Sequence, residues 1–538
     1  MHSRIRRAVS VLTAAFVLAA AVVVGAPVLA PASAAPAPIE VYPLAGVYPP
    51  SSDYTLTVNG QTVPVQDYGE YDIAQLAMGT GTATVAVTKT NGTTIGSYGI
   101  SPLKLGLTGA ISGPTLTFTV PNDEYLIIKV DGRAKLVLAI DPLETNRPAA
   151  SGTGVFNVQS APYSAVPGTA YSTTGFQNAL NDAAAWGSAN GGKGTVYVPA
   201  GVYTLGTLYL RSNLALYLAP GAVLRYTGER AHNDVHWHKD SQNRDVSWFI
   251  STRYSSSNIS ISGRGIIDGN GRASLQPDNI GVNLLVPIYT DNFSVTGITF
   301  RESSSWAVMP TRSTNLQFRD IKIFNRFDMG ENDGIDVMES TGVYVKHAIG
   351  IGLDDPFSTK TWANHIDLFE SVPGNPRPLG TVTFEDLVSW TYCYGVKVGQ
   401  GVLQPQSDVT FKQVVVYAAS IGIGIHHKYG TGAATNVRFE DFDIESVPTS
   451  NDGNRTWLAL WSGSGPEGIG PVTGVTIQDI RVRDAGTTAA RITGVPGAPI
   501  TTVALIRVRM PGATSNATTL AQLGITNVSD ASGITVTP

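Results

Sequence analysis

The chain has 538 residues, of which 14% are charged and 43% are hydrophobic, with 57 Gly, 32 Pro and a single Cys. This composition excludes a disordered chain, which combines low hydrophobicity with high net charge, and a disulfide scaffold, which needs paired cysteines. The net charge of -5 gives no electrostatic reason to expect a nucleic-acid partner. The length predicts either two domains or one long repetitive domain.

The first 34 residues have the features of an export signal. Arginines at positions 4, 6 and 7 precede an apolar run from Ala8 to about Ala26, and Ala32-Ser33-Ala34 forms a small-residue cleavage site. We therefore expect residues 1–34 to be a signal peptide and the mature protein to be secreted, without membrane association after cleavage. A membrane anchor is the alternative interpretation, because the run approaches the length that spans a bilayer.

Residues 38–150 alternate apolar and polar side chains, as half-buried strands do. Asn59-Gly60 and Asp131-Gly132 each separate two such segments, and both dipeptides tolerate the positive φ of a tight hairpin turn. We predict an antiparallel β-sandwich domain over 38–150. Because this stretch holds no cluster of His, Cys or paired carboxylates, a structural cap is favoured over a sugar-binding module.

Residues 155–538 open with one amphipathic helix, Thr173 to about Trp186, and then repeat short apolar units. Units such as those at 315–318 and 436–439 recur at intervals of mostly 23 to 28 residues, which indicates a solenoid. Strand-like units separated by Asn, Gly and Asp turns favour a parallel β-helix over leucine-rich or helical repeats. The predicted fold class is therefore all-β, with a parallel β-helix domain over 155–538 behind the sandwich.

Two groups of carboxylates lie about one repeat apart. Asp333 belongs to an Asn-Asp-Gly-Ile-Asp sequence at 332–336, and the pair Asp354 and Asp355 begins 21 residues after it. Adjacent coils of a β-helix are spaced by about 4.8 Å, so Asp333 is predicted to stack beside the pair. Like charges at this distance raise one another's pKa, so that one carboxyl holds a proton while another stays ionised. Glycoside hydrolysis needs this division between an acid and a water-activating carboxylate.

The residues alone leave three interpretations open. Aspartates also terminate strands in turns, which is a purely structural use. Clustered carboxylates also ligate calcium, which would support a polysaccharide lyase. Catalytic hydrolysis is the third interpretation.

These motifs resemble the polygalacturonase family of glycoside hydrolases over roughly residues 155–510. The resemblance rests on Gly-Arg-Gly-Ile-Ile-Asp-Gly at 263–269, the motif at 332–336 and the Asp354–Asp355 pair, in that order. It implies a right-handed parallel β-helix that hydrolyses its glycan with inversion. Asp354 is then expected to be the general acid, with Asp333 and Asp355 activating water. We expect no metal and no cofactor.

Two segments depart from the family pattern. Tyr394 stands where polygalacturonases have the histidine of a Gly-His-Gly motif, and the sequence at 424–428 resembles the segment that carries an arginine and a lysine for uronate carboxylates. Only Lys428 matches that segment, because His426 replaces the arginine. Lys397 and Lys428 keep an acidic sugar as the expected ligand. The predicted substrate-binding residues are Tyr394, Lys397, His426, His427, Lys428 and, for stacking on a sugar ring, Trp362.

We therefore predict a monomeric, secreted, inverting glycoside hydrolase that acts on a polysaccharide or oligosaccharide of pectic or related acidic type. The dextranase and isopullulanase family also places a β-sandwich ahead of the β-helix, so a hydrolase of a neutral α-glucan is the first alternative. A polysaccharide lyase and a non-catalytic glycan-binding adhesin are the other two.

Overall fold

The structure is a computed structural model that describes residues 36–363, 367–450, 453–463 and 465–538. The predicted signal peptide, residues 1–34, lies outside the described residues. Strands make up most of the described chain, and they are numbered here in chain order. No helix in these ranges combines the length and the apolar character needed to cross a membrane.

The N-terminal strands form two facing sheets. One sheet contains β1 (Ile39–Val41), β4 (Val65–Asp67), β5 (Tyr71–Met78), β7 (Tyr98–Ser101), β10 (Tyr125–Val130) and β11 (Lys135–Pro142). The other contains β2 (Tyr54–Val58), β3 (Gln61–Val63), β6 (Ala83–Lys89), β8 (Gly109–Ser112) and β9 (Thr115–Val120). Their inner faces share one apolar core, in which Leu56 and Phe118 of one sheet pack with Leu76 and Leu136 of the other. The predicted β-sandwich is confirmed.

Both predicted hairpins are present in this sandwich. β2 pairs with β3 across Asn59-Gly60, where both residues have positive φ, and β10 pairs antiparallel with β11 across the turn at Asp131. One pairing differs from a purely antiparallel sandwich, because β11 runs parallel to β5. Parallel neighbours cannot be joined by a tight turn, and a long stretch of chain indeed separates β5 from β11.

The remaining strands form a parallel β-helix. Its 18-stranded sheet contains β12 (Val155–Asn157), β13 (Gly168–Tyr171), β14 (Gly194–Val198), β15 (Gly201–Leu205), β17 (Leu214–Leu218), β18 (Ala222–Tyr226), β21 (Ser256–Gly263), β22 (Ile266–Asp268), β24 (Thr290–Thr296), β25 (Thr299–Arg301), β26 (Thr314–Phe324), β28 (Thr341–Gly352), β30 (Leu379–Thr391), β32 (Gln406–Ala418), β34 (Ala434–Ile444), β36 (Val472–Val482), β38 (Ile500–Arg509) and β40 (Ala531–Thr537).

A second wall of the β-helix carries the other strands. Its first part contains β16 (Leu208–Leu210), β19 (Val235–Lys239), β20 (Arg244–Thr252) and β23 (Ile280–Val286). In this part β19 pairs antiparallel with β20, whereas β16 and β23 pair parallel with β20. Its second part contains β27 (Ile335–Met338), β29 (Phe357–Thr361), β31 (Tyr394–Val402), β33 (Ile421–Tyr429), β35 (Thr456–Ser462), β37 (Ala490–Thr493) and β39 (Ile525–Ser529).

Helices are few in the described ranges. The main one, α1 (Thr173–Asn190), runs one turn beyond the predicted end at Trp186 and stops at Gly191, whose φ of 67° places it in the left-handed region that ends helices. Its apolar face covers the first coils through Phe176 and Leu180. The short ones are α2 (Gly271–Ser274) and single 3-10 turns at Leu103–Leu105, Arg230–His232, Asp240–Gln242 and Asp367–Glu370.

The repeat seen in the sequence is the repeat of the coils. Equivalent apolar residues of successive strands pair in register, as in the series Leu316, Val343, Val382, Val409, Val437, Val475 and Val503. All are buried in one continuous core. The repeated units predicted an all-β fold with a parallel β-helix, and the structure confirms this fold class.

Asparagine begins many of the repeats because it occupies a corner of the coil. Asn258, Asn292, Asn315 and Asn436 all have φ between 51° and 59°, a left-handed conformation that Asn tolerates better than most residues. Their side chains also bond from coil to coil, as Asn258 Nδ2 does to Asn213 Oδ1 at 2.8 Å. These corners fix where each strand starts, and so fix the register.

The sandwich packs against the β-helix next to the acidic motif. The hydroxyls of Tyr68 and Tyr71 donate to the carbonyls of Phe324 (2.8 Å) and Asn325 (2.9 Å). Asn325 Nδ2 in turn donates to the carbonyl of Asn332 at 2.8 Å. The sandwich therefore supports the loop from which Asp333 extends, which fits the structural role favoured from its sequence.

Within the core, Phe384, Phe411 and Phe439 stack on three successive coils, with ring centroids 4.9 and 5.5 Å apart and nearly parallel planes. We expect Phe411→Ala to lower the free energy of unfolding by about 3–5 kcal/mol, because it opens a cavity that neighbouring coils cannot close. Urea unfolding followed by circular dichroism measures this change. The control is Lys412→Ala on the same strand, whose half-buried ion pair with Glu385 at the surface is worth about 1 kcal/mol. Equal losses in both variants would contradict the stacked core.

Candidate active site

The sequence-predicted carboxylates come together where two strands begin. Asp333 lies just before β27 and the Asp354–Asp355 pair just before β29, and these strands pair in register from Ile335 with Phe357 onward. The backbone N–H of Gly334 donates to the carbonyl of Asp355 at 2.9 Å. The predicted stacking of the two acidic groups on neighbouring coils is thus present in the structure.

Asn332 fixes the position of the aspartate pair. Its Oδ1 accepts hydrogen bonds from the backbone N–H groups of Leu353 (3.1 Å) and Asp354 (3.2 Å), which lie on the next coil. Its Nδ2 donates to the carbonyl of Arg326 at 2.6 Å. Because the side chain is 1% exposed and bonded on both sides, it holds the Asp354 loop against the coil that carries Asp333.

A buried lysine lies between the aspartates of the first motif. Lys360 Nζ is 2.6 Å from Asp333 Oδ2 and 2.9 Å from Asp336 Oδ2, and it lies 4.3 Å from the centre of the Trp306 ring. Burial, followed by the charge of Asp336, raises the pKa of Asp333 well above its usual value. Burial opposes the charge of Lys360, but Asp333 and Asp336 hold the pKa of this lysine above its usual value.

The two aspartates of the pair differ in protonation. Burial, and then the neighbouring charge of Asp355, raises the pKa of Asp354 to about 6. Burial acts in the same direction on Asp355, but Lys397 and Lys360 outweigh it and lower the pKa of Asp355 below its usual value. Lys397 Nζ contacts Asp355 Oδ2, and the backbone N–H of Tyr394 donates to Asp355 Oδ1 at 3.2 Å. Near pH 5 the pair thus holds one proton, on Asp354.

The difference in protonation within the pair has another main cause than the one expected from the sequence. Mutual repulsion was expected to separate the pKa values, whereas burial is the largest influence on Asp354 and lysines decide the direction for Asp355. Neither the burial nor the lysine contacts are visible in the spacing of the aspartates.

Two cavities meet at Asp354. The acidic cavity has a volume of about 410 Å³ and is lined by Lys239, Asp240, Ser241, Trp306, Glu331, Asp333, Asp354, Asp355, Lys360, Trp362, Asp367, Lys397, Gln400, Tyr429, Pro466 and Glu467. The cationic cavity has a volume of about 430 Å³ and is lined by Asp354, Cys393, Tyr394, Lys397, Gln400, Ile421, His426, Lys428, Asn454, Trp461 and Arg491. Asp354, Lys397 and Gln400 line both, so the two cavities adjoin at these residues and are together called the groove.

Most of the predicted substrate-binding residues line this groove. Tyr394 and His426 lie in the wall of the cationic cavity, where Tyr394 Oη accepts a hydrogen bond from Trp461 Nε1 at 3.1 Å and the His426 ring stacks on Trp461 at 3.9 Å. Burial, then Lys397, Lys428 and Arg491, lowers the pKa of His426 to about 2, so it is neutral. Lys428 lines the same cavity.

Trp362 lines the acidic cavity but does not overhang it. It is 6% exposed and packs in a cluster with Trp306 and Met338, with its ring 5.5 Å from that of Tyr429. It therefore forms a wall of the cavity and leaves little surface for a sugar to stack on.

The prediction that His427 binds substrate is wrong. Its side chain is 0% exposed, its Nε2 lies 2.7 Å from the carbonyl oxygen of Gly432, and it lines neither cavity. Side chains alternate between the faces of a strand, so His427 points inward with Ile425 while His426 and Lys428 face the groove. The alternation in the sequence contained this information.

Lys360 and Arg491 belong to the site but were missed in the sequence. Lys360 lies three residues after the core residue Phe357 on β29. Arg491 lies between the core residues Ala490 and Ile492 on β37. In each case the period of two gives the outward direction. The alternation does not identify the residues that lie beside these two side chains on the neighbouring coils, because the register between the coils decides this.

Asp354, Asp355 and Cys393 place three potential ligand atoms within 4.8 Å of one another. This group does not fit a calcium site, because Ca²⁺ takes about six to eight oxygen ligands and a thiol is a soft donor. Burial, followed by the charge of Asp355, raises the pKa of Cys393 well above its usual value, so the thiol stays protonated. Lys397 already supplies a positive charge to Asp355.

Comparisons with known proteins agree with this fold and with the predicted family resemblance. Residues 189–375 match the family described as Glycosyl hydrolases family 28. A protein of Vitis vinifera named "Probable polygalacturonase" is 24% identical over 363 residues, which is 63% of this chain and 71% of the relative. An "Exopolygalacturonase" of Zea mays is 24% identical over 344 residues, covering 56% of this chain and 79% of the relative.

Solved structures share the fold. The family 28 exopolygalacturonase of Yersinia enterocolitica aligns with a TM-score of 0.53 and 14% identity, over 84% of this chain and 93% of that one. The polygalacturonase of Erwinia carotovora aligns with a TM-score of 0.50 and 16% identity, over 69% and 96%. The class that results is a glycoside hydrolase built on a parallel β-helix. Residues 189–375 match glycosyl hydrolase family 28, and the resemblance to polygalacturonases predicted from the sequence is confirmed by the curated relatives.

The two neighbouring aspartates give a test that needs no substrate. Asp354 has a folded-state pKa of about 6 against an ordinary 3.8, so its stability contribution is complete below pH 4 and is lost as pH rises through 6. Asp354→Asn should therefore stabilise the protein at pH 8 by up to about 3 kcal/mol, and by much less at pH 4. Asp355→Asn should destabilise it by about 3–5 kcal/mol at pH 8, because Lys397 loses its partner.

Thermal melting of both variants at pH 4 and pH 8 provides the measurement. The chemical change is the same at two adjacent positions, so each variant serves as the control for the other. A shift of the same sign in both at pH 8 would contradict the assigned protonation states.

Proposed function

We propose that this protein is a secreted, inverting glycoside hydrolase with polygalacturonase-like activity on a pectic or related acidic glycan. Asp354 is the general acid, and Asp355 together with Asp333 activates the attacking water. The observation that carries this proposal is the pair of opposite pKa shifts on adjacent aspartates at the point where two cavities meet.

In the proposed reaction Asp354 donates its proton to the glycosidic oxygen as the bond to the anomeric carbon breaks. Asp355, ionised by its contact with Lys397, accepts a proton from water as the water oxygen bonds to the anomeric carbon from the opposite face. Attack from that face inverts the configuration. Asp333, held by Lys360, lies on the neighbouring coil and helps to orient the water. Solvent then returns a proton to Asp354 and removes one from Asp355.

The names of the relatives support the substrate class. The curated relatives and the aligned solved structures quoted above are described as polygalacturonases or exopolygalacturonases. The lysine and arginine side chains of the cationic cavity suit an acidic sugar, whereas a neutral α-glucan gives them no partner. The aspartate and cysteine group is a poor calcium site, which favours hydrolysis over a calcium-dependent lyase.

The proposal predicts the loss of hydrolysis in Asp354→Asn. Removing the general acid should lower kcat by about 10²- to 10⁴-fold on polygalacturonate or a related pectic glycan. Reducing ends measure the rate, and NMR of the first product gives its anomeric configuration, which should be inverted. Asp479→Asn, an exposed aspartate paired with Arg507, should keep full activity. Unsaturated products that absorb in the ultraviolet, or a retained configuration, would exclude this mechanism.

Secretion is proposed from residues 1–34, which carry the arginines, the apolar run and the small-residue site. Expression in a bacterial host that exports proteins should place the protein in the culture medium, with Ala35 as its first residue. N-terminal sequencing of the secreted form checks this. Recovery of the uncleaved chain from the membrane fraction would support the anchor instead.

A further inference from the structure

The two cavities that meet at Asp354 differ in charge. Seven acidic residues line the acidic cavity against three lysines, whereas Asp354 is the one carboxyl among the described residues that line the cationic cavity, against Lys397, Lys428 and Arg491. A bound glycan that passes Asp354 thus enters two different electrostatic environments on the two sides of the cleaved bond.

In the cationic cavity two positive charges lack a carboxylate partner. Neither Lys428 nor Arg491 forms an ion pair with any residue in the described ranges, although both are half-buried. The guanidinium of Arg491 lies 4.6 Å from the centre of the Trp461 ring, and its Nε is buried without a hydrogen-bond partner. Partly buried charges of one sign are stabilised by an anion, and a planar guanidinium suits a carboxylate.

The register explains how Arg491 comes to this place. Lys397, Gly424, Ala459 and Arg491 lie in one row across β31, β33, β35 and β37. The ring of Tyr394 covers Gly424 and packs with Ala459 in the same buried cluster. His426 stands at the position of the family's arginine, but it is neutral. Arg491 instead supplies a guanidinium to the same wall of the cationic cavity.

In the acidic cavity the lysines are already paired. Lys239 lies 3.4 Å from both Glu331 and Asp367, Lys360 pairs with Asp333, and Lys397 pairs with Asp355. A uronate carboxylate in this cavity would meet excess negative charge with no cation left to bind it. Tyr429, which is half-buried, lines the same space, and an aromatic side chain suits the apolar face of an uncharged sugar.

We infer that the substrate presents a carboxylate-bearing sugar to the cationic cavity and an uncharged sugar to the acidic cavity. The preferred glycan is therefore one in which acidic and neutral sugars alternate, and a uniformly acidic chain is a poorer substrate. This inference rests on the proposed function and names its substrate class. Arg491 and Lys428 are the residues that bind the carboxylate.

The test compares four glycans: an alternating uronate–rhamnose backbone, the same backbone with its carboxyls reduced to alcohols, polygalacturonate and dextran. The wild-type protein should have its highest kcat/KM on the alternating backbone. Arg491→Met should lower this value by about 10- to 100-fold, mainly through KM, the loss expected for a charged hydrogen bond. Arg491→Met should change activity on the reduced backbone by less than about twofold. Arg491→Lys should lie between Arg491→Met and wild type on the alternating backbone.

The matched control is Arg507→Met, an arginine of β38 that pairs with Asp479 on the surface away from both cavities. Circular dichroism and melting temperatures establish that each variant folds. Lys428→Met is a second variant that removes the other cation and should give a loss of the same kind.

The outcomes separate the two proposals. A higher kcat/KM on polygalacturonate than on the alternating backbone, or equal losses for Arg491→Met on the acidic and the reduced backbone, overturns the inference and leaves the hydrolase proposal intact. If none of the four glycans is hydrolysed, the proposed activity on pectic glycans fails. Calorimetry then measures the binding of the acidic and the reduced backbone to wild type and to Arg491→Met. Equal affinities of wild type for the two backbones, or equal affinities of wild type and Arg491→Met for the acidic backbone, overturn the inference.

Discussion

The in-register pairing of parallel strands is the constraint on which the rest of this molecule depends. Each coil places its residues directly beside the equivalent residues of the next, as Ile335 lies beside Phe357 and Ser358 beside Lys397. Apolar residues of the inner face build one core, and the outward residues of the same strands build one groove. The asparagines at the corners keep the register, because their left-handed backbone ends one face and begins the next. A shift of one residue would turn every groove side chain into the core.

Charge compensation by lysine shapes the site. Taken alone, the carboxyls of Asp333, Asp336, Asp354 and Asp355 would repel one another in a buried position. Lys360 and Lys397 divide them into two groups, each with its own ammonium, and leave Asp354 as the carboxyl with the pKa near 6. Asn332 and the sandwich tyrosines hold the loops that carry these groups, so the N-terminal sheets contribute to the site without lining either cavity.

Several parts of the fold and the site followed from sequence reasoning. The two hairpins, the helix at Thr173, the repeat of the coils and the stacking of Asp333 beside the Asp354–Asp355 pair were all predicted, because each depends on local conformation or on a spacing along the chain. His427 was assigned to the groove in error although its alternation with Ile425 showed the inward direction. Lys360 and Arg491 were overlooked because no short motif surrounds them.

By itself the sequence determined the repeat, the alternation of inward and outward side chains, and the presence of a paired acidic motif of polygalacturonase type. These properties depend only on the order and spacing of residues along the chain. Only the tertiary structure decided which aspartate keeps its proton, which lysine pairs with which carboxylate, and that Arg491 shares a wall with Lys397 and His426. Burial and contacts between coils set these properties, and both arise from residues that lie far apart in the chain and meet when the coils stack.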